Sequence, residues 1–297
     1  MIFYLFALFF KVIPPNNYKT SLRKQIKDSF QNRECYSHED ANYGPLNNNN
    51  INGYFYCSGY CTNCELSFTR CNFHDIHIDG NKYSYLILCY ADTFVQFSNF
   101  SDITVFRKLI CCEYENYQLV LKSNRIINID FVPGILYFDT YVIYSQFTTQ
   151  EITDNYICLD PSIPGDKRGL GFHLKYHSNC IFSGNTLINC YDQNEAGGLI
   201  FESKGSKSEH LEISDCVFRN CYADNPSILK IPELNFDLTI TNVVFEQTEN
   251  INNDAKGYLI AIIPESSGTY HLTFDKCTFS HLKSNSNGGG GIGLWFN

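Results

Sequence analysis

The segment Leu211–Phe218, with the sequence LEISDCVF, recurs along this chain and decides its fold. Its pattern is apolar-x-apolar-x-x-Cys/Val-x-Phe, and three further copies keep it: Leu66–Phe73 (LSFTRCNF), Leu238–Phe245 (LTITNVVF) and Leu272–Phe279 (LTFDKCTF). Leu174–Phe182 fits the pattern with one additional residue before Cys180. Copies of a short motif along one chain are the signature of a repeat architecture.

A second apolar strand follows each of the later copies, after a polar stretch rich in asparagine. These second strands are Gly197–Phe201 (GGLIF), Ser227–Ile231 (SILKI), Gly257–Ile262 (GYLIAI) and Gly290–Phe296 (GGIGLWF). The distance between successive copies varies, whereas the strands keep their pattern. Repeats that differ mainly in their loops are typical of a solenoid.

Polar and apolar residues alternate with period two within each unit, so each strand has one apolar face. A single unit cannot enclose that face, but parallel units stacked about 4.8 Å apart can. We predict that Phe218 stacks between Phe182 and Phe245 in a continuous phenylalanine column. Asparagine and glycine between the strands suit corners in the left-handed conformation, where stacked amides bond along the axis. The sequence therefore predicts an all-β parallel β-helix.

The units that begin at Cys180 (CIFSGN), Cys216 (CVFRNC) and Cys277 (CTFSH) resemble right-handed parallel β-helix proteins of the pectate-lyase-like superfamily. With the glycine runs at 197–198 and 288–291, they are similar to the GG-x-I and F-x-x-N repeats of the polymorphic outer membrane protein family and its protist surface homologues. The resemblance covers residues 174–297 well and 51–173 loosely. It implies a right-handed, secreted or surface-exposed solenoid associated with adhesion.

Members of that family usually carry more repeats and a membrane-anchoring C-terminal region. The strand at Gly291–Phe296 stops partway round a coil, with apolar residues and no polar cap after it. We therefore expect either a piece of a longer surface protein or an end that another chain closes.

The N-terminal residues differ from the repeats. Ile2–Phe10 (IFYLFALFF) is an unbroken apolar run with the length of a signal-peptide core, and it is too short to span a bilayer. Residues 1–14 are thus predicted to be a signal peptide or hydrophobic anchor, with a buried strand as the alternative.

Residues 15–50 are predicted to form a cap and a linker ahead of the repeats at 51–297. Leu22, Ile26 and Phe30 follow Ser21 at the spacing of one apolar helix stripe, which predicts a short helix over the first coil. Asn47–Asn50 is a low-complexity tract and is interpreted as the linker.

Composition limits the classes of function. The chain has 297 residues, of which 44% are hydrophobic, so it can bury a large core. Seven alanines against 24 phenylalanines and 21 tyrosines argue against a helical bundle. The formal charge is −9, and no block of Lys or Arg is long enough to bind a nucleic-acid backbone. Nucleic acid is therefore not the expected partner.

Fourteen cysteines are many for a cytosolic enzyme, and their even number suits an oxidising compartment. Cys180, Cys216 and Cys277 are aligned at one repeat position, which Val243 fills in another unit, so this position is a small buried apolar slot. We predict that Cys180 and Cys216 lie within disulfide reach, whereas Cys216 and Cys277 lie two coils apart and beyond it.

Cys57, Cys61 and Cys64 have the spacing with which radical S-adenosylmethionine enzymes hold a four-iron cluster, and with Cys71 they could supply four thiolates to zinc. The radical enzymes place that loop in an α/β barrel. Here Cys64 leads directly into a repeat copy and Cys71 occupies a repeat position. We therefore favour disulfides or buried thiols over both metal sites.

The stretch His74–Asp79 (HDIHID) places Asp75, His77 and Asp79 on one strand face, as metal ligands or an acid–base group would be placed. No second carboxylate or histidine cluster recurs one unit later to complete a site. The alternation of polar and apolar faces is therefore the preferred interpretation.

Other polar motifs are weaker. Glu113, Glu115 and Asp160 are isolated acids on predicted loops, where solvated charge is the default. Gly288–Gly291 lacks the Lys-Ser/Thr and helix of a phosphate-binding loop, so it predicts a turn. Asn99–Ser101 (NFS) is the sole N-x-S/T sequon not blocked by proline, and it would lie on the surface of a secreted chain. We assign no catalytic, cofactor-binding or metal-binding residue.

These observations predict a non-catalytic secreted or cell-surface protein that binds a cell-surface protein or glycan through outer loops. The alternative is a carbohydrate-active enzyme, a polysaccharide lyase or glycoside hydrolase, on the same fold. Such enzymes carry Arg or Lys with paired Asp on one outer face, and no Asn-Thr-Asp, Asp-Asp or Arg-x-Lys run occurs in this sequence. The expected location is extracellular or at the cell surface, with membrane association only through the N-terminal segment or a C-terminal anchor outside this chain.

Overall fold

The structure is a computed structural model. It describes residues 36–39, 41–43, 46–48, 53–57, 65–78, 85–113, 116–132, 140–163, 169–175, 179–192, 196–202, 210–223, 228–247, 260–264, 270–281 and 292–294. The predicted signal segment or anchor at 1–14 and the predicted helix around Leu22–Phe30 lie outside these ranges.

Three long parallel sheets, named A, B and C in chain order, run side by side and form a β-solenoid. Each coil passes through sheet A, then sheet B, then sheet C, and the next coil adds its strands alongside in parallel. The all-β parallel architecture predicted from the repeats is confirmed. Within the described ranges the chain forms no helix.

The strands of each sheet are given in the order of the chain. Sheet A contains Tyr36–Glu39, Glu65–Thr69, Asp92–Gln96, Gln118–Lys122, Thr149–Thr153, Asn179–Ser183, His210–Ser214, Leu238–Thr241 and Leu272–Asp275. Sheet B contains Asn42–Tyr43, Leu46–Asn48, Asn72–Ile78, Asn99–Val105, Arg125–Phe131, Tyr156–Cys158, Thr186–Ile188, Val217–Arg219, Val244–Glu246 and Thr278–Ser280. Sheet C contains Gly53–Cys57, Tyr85–Cys89, Lys108–Cys112, Tyr141–Ser145, Leu170–Lys175, Leu199–Glu202, Leu229–Leu234, Ile260–Pro264 and Ile292–Leu294. A further short pair joins Tyr191–Asp192 to Tyr222–Ala223.

The first strands begin earlier than the predicted start of the repeats at residue 51. Tyr36–Glu39 already pairs with the second strand of sheet A. Asn47 and Asn48, interpreted from sequence as linker, lie in a strand that pairs in parallel with Ile76–Ile78. Parallel pairing uses backbone groups, so a tract of polar side chains does not prevent it.

The phenylalanine column along sheet B is confirmed from Phe218 onward. The ring of Phe245 stacks on Phe218 with centroids 5.4 Å apart, and Phe279 stacks on Phe245 at 5.2 Å. Phe218 and Phe245 are fully buried, whereas Phe279 in the last of these strands is 39% exposed.

Phe182 does not continue that column, and the predicted alignment of Cys180 with Cys216 is wrong. Phe182 lies in sheet A as the partner of Ile213, and Leu187 holds the position in sheet B that precedes Phe218. The ring of Phe182 still reaches Phe218 from the neighbouring sheet, at 6.3 Å between centroids.

One left-handed residue turns the chain from sheet A into sheet B in every fully described coil. These residues have φ between 53° and 67° and are Arg70, Phe97, Ser123, Asp154, Gly184, Asp215, Asn242 and Lys276. The residue after each of them points inward and forms a second column, made of Cys71, Ser98, Asn124, Asn155, Asn185, Cys216, Val243 and Cys277. Left-handed corners were predicted for asparagine and glycine between the strands; these corners lie inside the repeated motif, and only Gly184 and Asn242 are of the predicted types.

Asn124, Asn155 and Asn185 form a buried ladder in the middle of that column. The Nδ2 of Asn124 donates to Oδ1 of Asn155 at 2.9 Å, and Nδ2 of Asn155 donates to Oδ1 of Asn185 at 3.0 Å. Each Nδ2 also donates to a strand carbonyl, such as Leu121 O at 2.9 Å from Asn155. The ladder satisfies polar backbone at a corner that water does not reach.

No disulfide joins the cysteines that the structure describes with their side chains; these are free thiols. Cys180 is the Cα partner of Leu211, so it does not share the slot of Cys216 and does not pair with it. Val243 and Cys277 do follow Cys216 in one column. The predicted small apolar slot is therefore correct for these three residues.

Candidate functional site

The polar stretch His74–Asp79 lies on the outer side of sheet B as far as it is described. Ile76 and Ile78 are buried, Asp75 is exposed, and His74 Nδ1 lies 2.8 Å from Asp75 Oδ2. Asp75 has a φ of 51° and bulges out of its strand. The preferred interpretation, polar outside and apolar inside, is confirmed for these residues, while Asp79 lies outside the described ranges.

The bulge recurs in the next two coils at Asp102 and Asn128, both with positive φ. Nδ2 of Asn128 donates to Oδ1 of Asp102 at 3.0 Å. The third bulge thus carries an amide where the first two, at Asp75 and Asp102, carry carboxylates. Among the described residues no group of three or more His, Cys, Asp or Glu side chains could hold a metal ion.

The other sequence candidates are separated from one another. Cys71 is buried and its Sγ donates to Thr69 O at 3.6 Å, while Cys61, Cys64, Glu115 and Gly288–Gly291 fall outside the described ranges. Asp160 accepts a hydrogen bond from the Ser162 backbone in a turn.

The sequon asparagine Asn99 lies within a strand of sheet B and is partly buried. Its Nδ2 donates to Oδ1 of Asn72 at 2.8 Å, and its own Oδ1 accepts from Arg125 at 3.4 Å. The amide nitrogen that a glycan would use is therefore part of an interstrand contact.

The densest group of reactive side chains lies on the outer side of sheet C, where the sequence indicated only apolar strands. We name it the sheet C cluster; it consists of Tyr85, Lys108, Cys111, Tyr141, Tyr144, His173, Lys175 and Glu202. The register of the strands brings these residues together. Tyr85, Lys108 and Tyr141 are Cα partners in three successive strands of sheet C. Cys111, Tyr144 and His173 are Cα partners in the same way. Its tyrosines and Cys111 form an apolar group separate from the interior core.

Lys108 is held among tyrosine rings. Its Nζ lies 3.6 Å from the centroid of Tyr144 and 5.7 and 5.8 Å from those of Tyr141 and Tyr85. The lysine is only 8% exposed. A cation over an aromatic face is stabilised by the ring quadrupole, and more so when desolvated.

His173 connects these rings to a carboxylate. Its ring meets Tyr141 and Tyr144 edge-on, with centroids 4.9 and 5.5 Å away. Its Nε2 lies 2.8 Å from Oε1 of Glu202, and the other oxygen of Glu202 accepts from Lys175 Nζ at 3.0 Å. The Glu202 carboxylate is thus bonded to two basic side chains, those of His173 and Lys175.

The pKa values of three groups in the sheet C cluster are shifted, and the shifts determine their protonation states at neutral pH. Burial raises the pKa of the Cys111 thiol well above its usual value, and burial also raises the pKa of Tyr144. Burial alone would raise the pKa of Glu202, but hydrogen bonds and charges of His173 and Lys175 outweigh it and lower that pKa to about 2. At neutral pH Cys111 and Tyr144 are protonated and Glu202 is ionised, so Glu202 cannot act as the protonated acid of a glycosidase.

Glu202→Gln is expected to make the free energy of unfolding less dependent on pH. Folding lowers the pKa of the Glu202 carboxyl from 4.5 to about 2. The ionised carboxylate therefore stabilises the folded protein at pH values above 4.5, and this contribution is lost as the pH falls towards 2. The wild type should lose about 3 kcal/mol over this range from Glu202. The urea concentration at the midpoint of unfolding should therefore change less between pH 2 and pH 7 in the variant than in the wild type.

Glu212→Gln is the matched control, because Glu212 is exposed on sheet A and bonds only a neighbouring serine among the contacts described. It should leave the pH profile unchanged. Equal flattening by both substitutions would contradict the role given to Glu202.

A second candidate is solvent-accessible, on the outer side of sheet B. We name Arg125, Tyr156 and Arg219 the Arg–Tyr strip. Arg125 and Arg219 are exposed, and Tyr156, which is 37% exposed, is the Cα partner of Arg125 in the next coil. Arg219 is fixed by Glu246, with Nε 2.7 Å from Oε2.

The surroundings of Tyr156 shift the pKa of its phenol. Burial and a hydrogen bond with the Cys158 thiol raise the pKa, while the guanidinium groups of Arg125 and Arg219 act in the opposite direction. The phenol is protonated at neutral pH and offers a ring and a hydroxyl beside the guanidinium of Arg125, whereas Arg219 lies two coils further on and is paired with Glu246.

No protein-family model matches the sequence, and neither a curated protein nor a solved structure is significantly similar to it. The parallel β-solenoid therefore rests on the structure itself. In the described part of the chain, none of the elements is a helix with the length and hydropathy to cross a bilayer.

Proposed function

We propose that the protein is a non-catalytic, secreted or cell-surface β-solenoid that binds a glycan through the outer side of sheet B. The observation that carries this proposal is the Arg–Tyr strip, because it places an exposed aromatic ring beside an exposed guanidinium in register on adjacent coils. The resemblance of the repeats to surface proteins of the polymorphic outer membrane protein type supports the same role.

The chemistry of the strip suits a sugar that carries carboxylate or sulfate groups. Guanidinium groups bind such oxyanions through paired N–H donors, and a tyrosine ring offers an apolar face to the sugar ring. Neighbouring coils are about 4.8 Å apart, so side chains of successive coils can follow one extended chain. Arginine and tyrosine are also enriched among residues that dominate binding energy.

Arg125→Ala and Tyr156→Ala are each expected to weaken binding by about tenfold or more, because each removes a contact at the centre of the strip. The measurement is a glycan and cell-surface binding array, followed by titration of the strongest ligand. Lys276→Ala is the matched control, because Lys276 is an exposed cation at the corner before a sheet B strand that lies four coils beyond Tyr156. Binding that is unchanged in both strip variants would overturn the proposal, and strongest binding to a protein target would replace the glycan.

The same array should include a hydrolysis readout with pectin, alginate and chitin oligomers. We expect no turnover, because Glu202 is ionised and Cys111 and Tyr144 are protonated at neutral pH, so none of these three is a protonated carboxylic acid or an activated nucleophile. Turnover that is lost on replacing Asp75 or His77 would instead support the alternative, a carbohydrate-active enzyme.

A further inference from the structure

Phe97 is an unusual residue for the corner between sheets A and B. It has a φ of 53° and is 53% exposed. Left-handed backbone is strained for a bulky residue, and an exposed phenylalanine leaves apolar surface in water. The same corner holds Ser123, Asp154 or Asn242 in other coils, so the fold does not require a large apolar side chain there. A ligand explains Phe97 better than folding does.

Two cations lie in the next coil, on either side of its corner. The backbone N of Phe97 donates to Lys122 O at 2.9 Å, and the backbone N of Arg125 donates to Ser98 O at the same distance. Lys122 is partly buried and Arg125 is exposed. Within the described ranges neither of the two side chains forms a salt bridge. This coil therefore presents two unneutralised positive charges beside the exposed ring.

The coil after that has the opposite character. Its exposed Tyr156 is the Cα partner of Arg125, and its corner residue is Asp154, which is also exposed. The carboxylate of Asp154 forms no salt bridge in the part of the chain that the structure describes. An anionic group is therefore attracted to the middle coil of the three and repelled from this one.

We infer that the glycan bound here is an acidic polysaccharide whose anionic group recurs on every second sugar. The inference rests on the glycan-binding function proposed above and narrows its ligand. Adjacent coils are about 4.8 Å apart, a length similar to that of one sugar in an extended chain, so three sugars can lie across three coils. The middle sugar places its carboxylate or sulfate between Lys122 and Arg125. The sugars on either side place apolar ring faces on Phe97 and Tyr156.

Two other kinds of glycan fit this surface less well. A chain with an anionic group on every sugar would place one charge beside the Asp154 carboxylate and another against the apolar ring of Phe97. A neutral chain would form no charge-assisted hydrogen bond with Arg125. The three coils therefore favour alternation over both uniform charge and no charge.

The test compares oligosaccharides of equal length in titrations of the full chain. Hyaluronan and chondroitin oligomers carry a carboxylate on every second sugar, oligogalacturonates carry one on every sugar, and chitin oligomers carry none. We expect the better of the two alternating oligomers to bind at least about tenfold more tightly than either of the others. Oligogalacturonate or chitin binding that is as tight would overturn the inference.

Phe97→Asn separates ligand binding from stability. Asparagine holds the same corner at Asn242, so the variant should resist urea at least as well as the wild type. Its affinity for the alternating oligomer should nevertheless fall by about tenfold, because one of the two aromatic contacts is lost.

Asp154→Asn tests the discrimination between the oligomers. It should strengthen the binding of oligogalacturonate, because it removes the carboxylate that repels a second anionic sugar. Asp215→Asn is the matched control, since Asp215 is an exposed acid at the same corner two coils later, and it should leave all affinities unchanged.

The outcomes separate this inference from the proposed function. Binding that is lost in Arg125→Ala and Tyr156→Ala but kept in Phe97→Asn would overturn the inference and leave the glycan-binding function standing. Failure of every oligosaccharide to bind would overturn both. Vesicles that contain an anionic phospholipid are the last arm of the experiment. Vesicle binding that Phe97→Asn abolishes, without any oligosaccharide binding, would assign this surface to a membrane instead.

Discussion

Gly197→Ala is expected to lower the free energy of unfolding by about 3 kcal/mol or more. A Cβ on Gly197 would lie 2.4 Å from both the backbone N and the backbone O of Tyr222, and 2.7 Å from the carbonyl oxygen of Cys190. These atoms belong to the backbone of neighbouring segments, so they cannot move aside as the end of a side chain can. The variant must separate the coils locally, and the midpoint of urea unfolding should fall accordingly.

Gly184→Asn is the comparison for this experiment. Gly184 has a φ of 67°, and its added Cβ would meet Oδ1 of Asp154, the end of a flexible side chain. Asn242 holds the equivalent corner two coils later, so asparagine is compatible with this conformation. We expect a change of about 1 kcal/mol or less. If both glycine variants were equally destabilised, the close approach at Gly197 would not be the cause.

Asn155→Ala should cost about 3 to 5 kcal/mol. Oδ1 of Asn155 accepts from the backbone N of Asn124 at 3.1 Å and from its Nδ2 at 2.9 Å, and Nδ2 donates to Leu121 O. Alanine removes the acceptor of the Asn124 backbone N–H and one of the two acceptors of its Nδ2, which keeps its bond to Val95 O, and each buried polar group left unpaired costs about 1–3 kcal/mol.

Asn128→Ala is the control, because Asn128 is exposed and bonds only Asp102 among the contacts described; its positive φ is a feature that Asn155 does not share. It should cost about 1 kcal/mol. Unfolding midpoints of the two variants and the wild type make the comparison. A loss for Asn155→Ala no larger than that for Asn128→Ala would mean that water reaches the corner.

The repeats could be predicted from the sequence because the inward positions of sheets A and B are apolar with period two. The copies at Leu211–Phe218, Leu238–Phe245 and Leu272–Phe279 are in register in the structure as aligned. The copy at Leu174–Phe182 was misaligned because Cys-x-Phe describes an inward pair in either sheet. Cys180 and Phe182 form such a pair in sheet A, whereas Cys216 and Phe218 lie at the corner and in sheet B.

The sheet C cluster could not be predicted from the same pattern. Its strands are buried on both sides, so Lys108 and His173 stand within apolar runs and show no alternation. A signal existed in the register itself, since Tyr85, Lys108 and Tyr141 begin three consecutive strands of sheet C. Placing these residues over one another requires the coil lengths, which vary from unit to unit and are fixed only by pairing.

The single-residue corner between sheets A and B also determines where the chain can change in length. Every fully described coil uses one left-handed residue there, so an insertion or deletion would shift the inward column of that coil against its neighbours. The connection from sheet B to sheet C is not bound in this way: it comprises residues 106–107 in one coil and 132–140 in the next. A doubling of loop length costs only about 0.6 kcal/mol, so the connection from sheet B to sheet C can accept inserted peptide segments during evolution. An epitope or a reporter domain can be inserted at the same place with the solenoid intact.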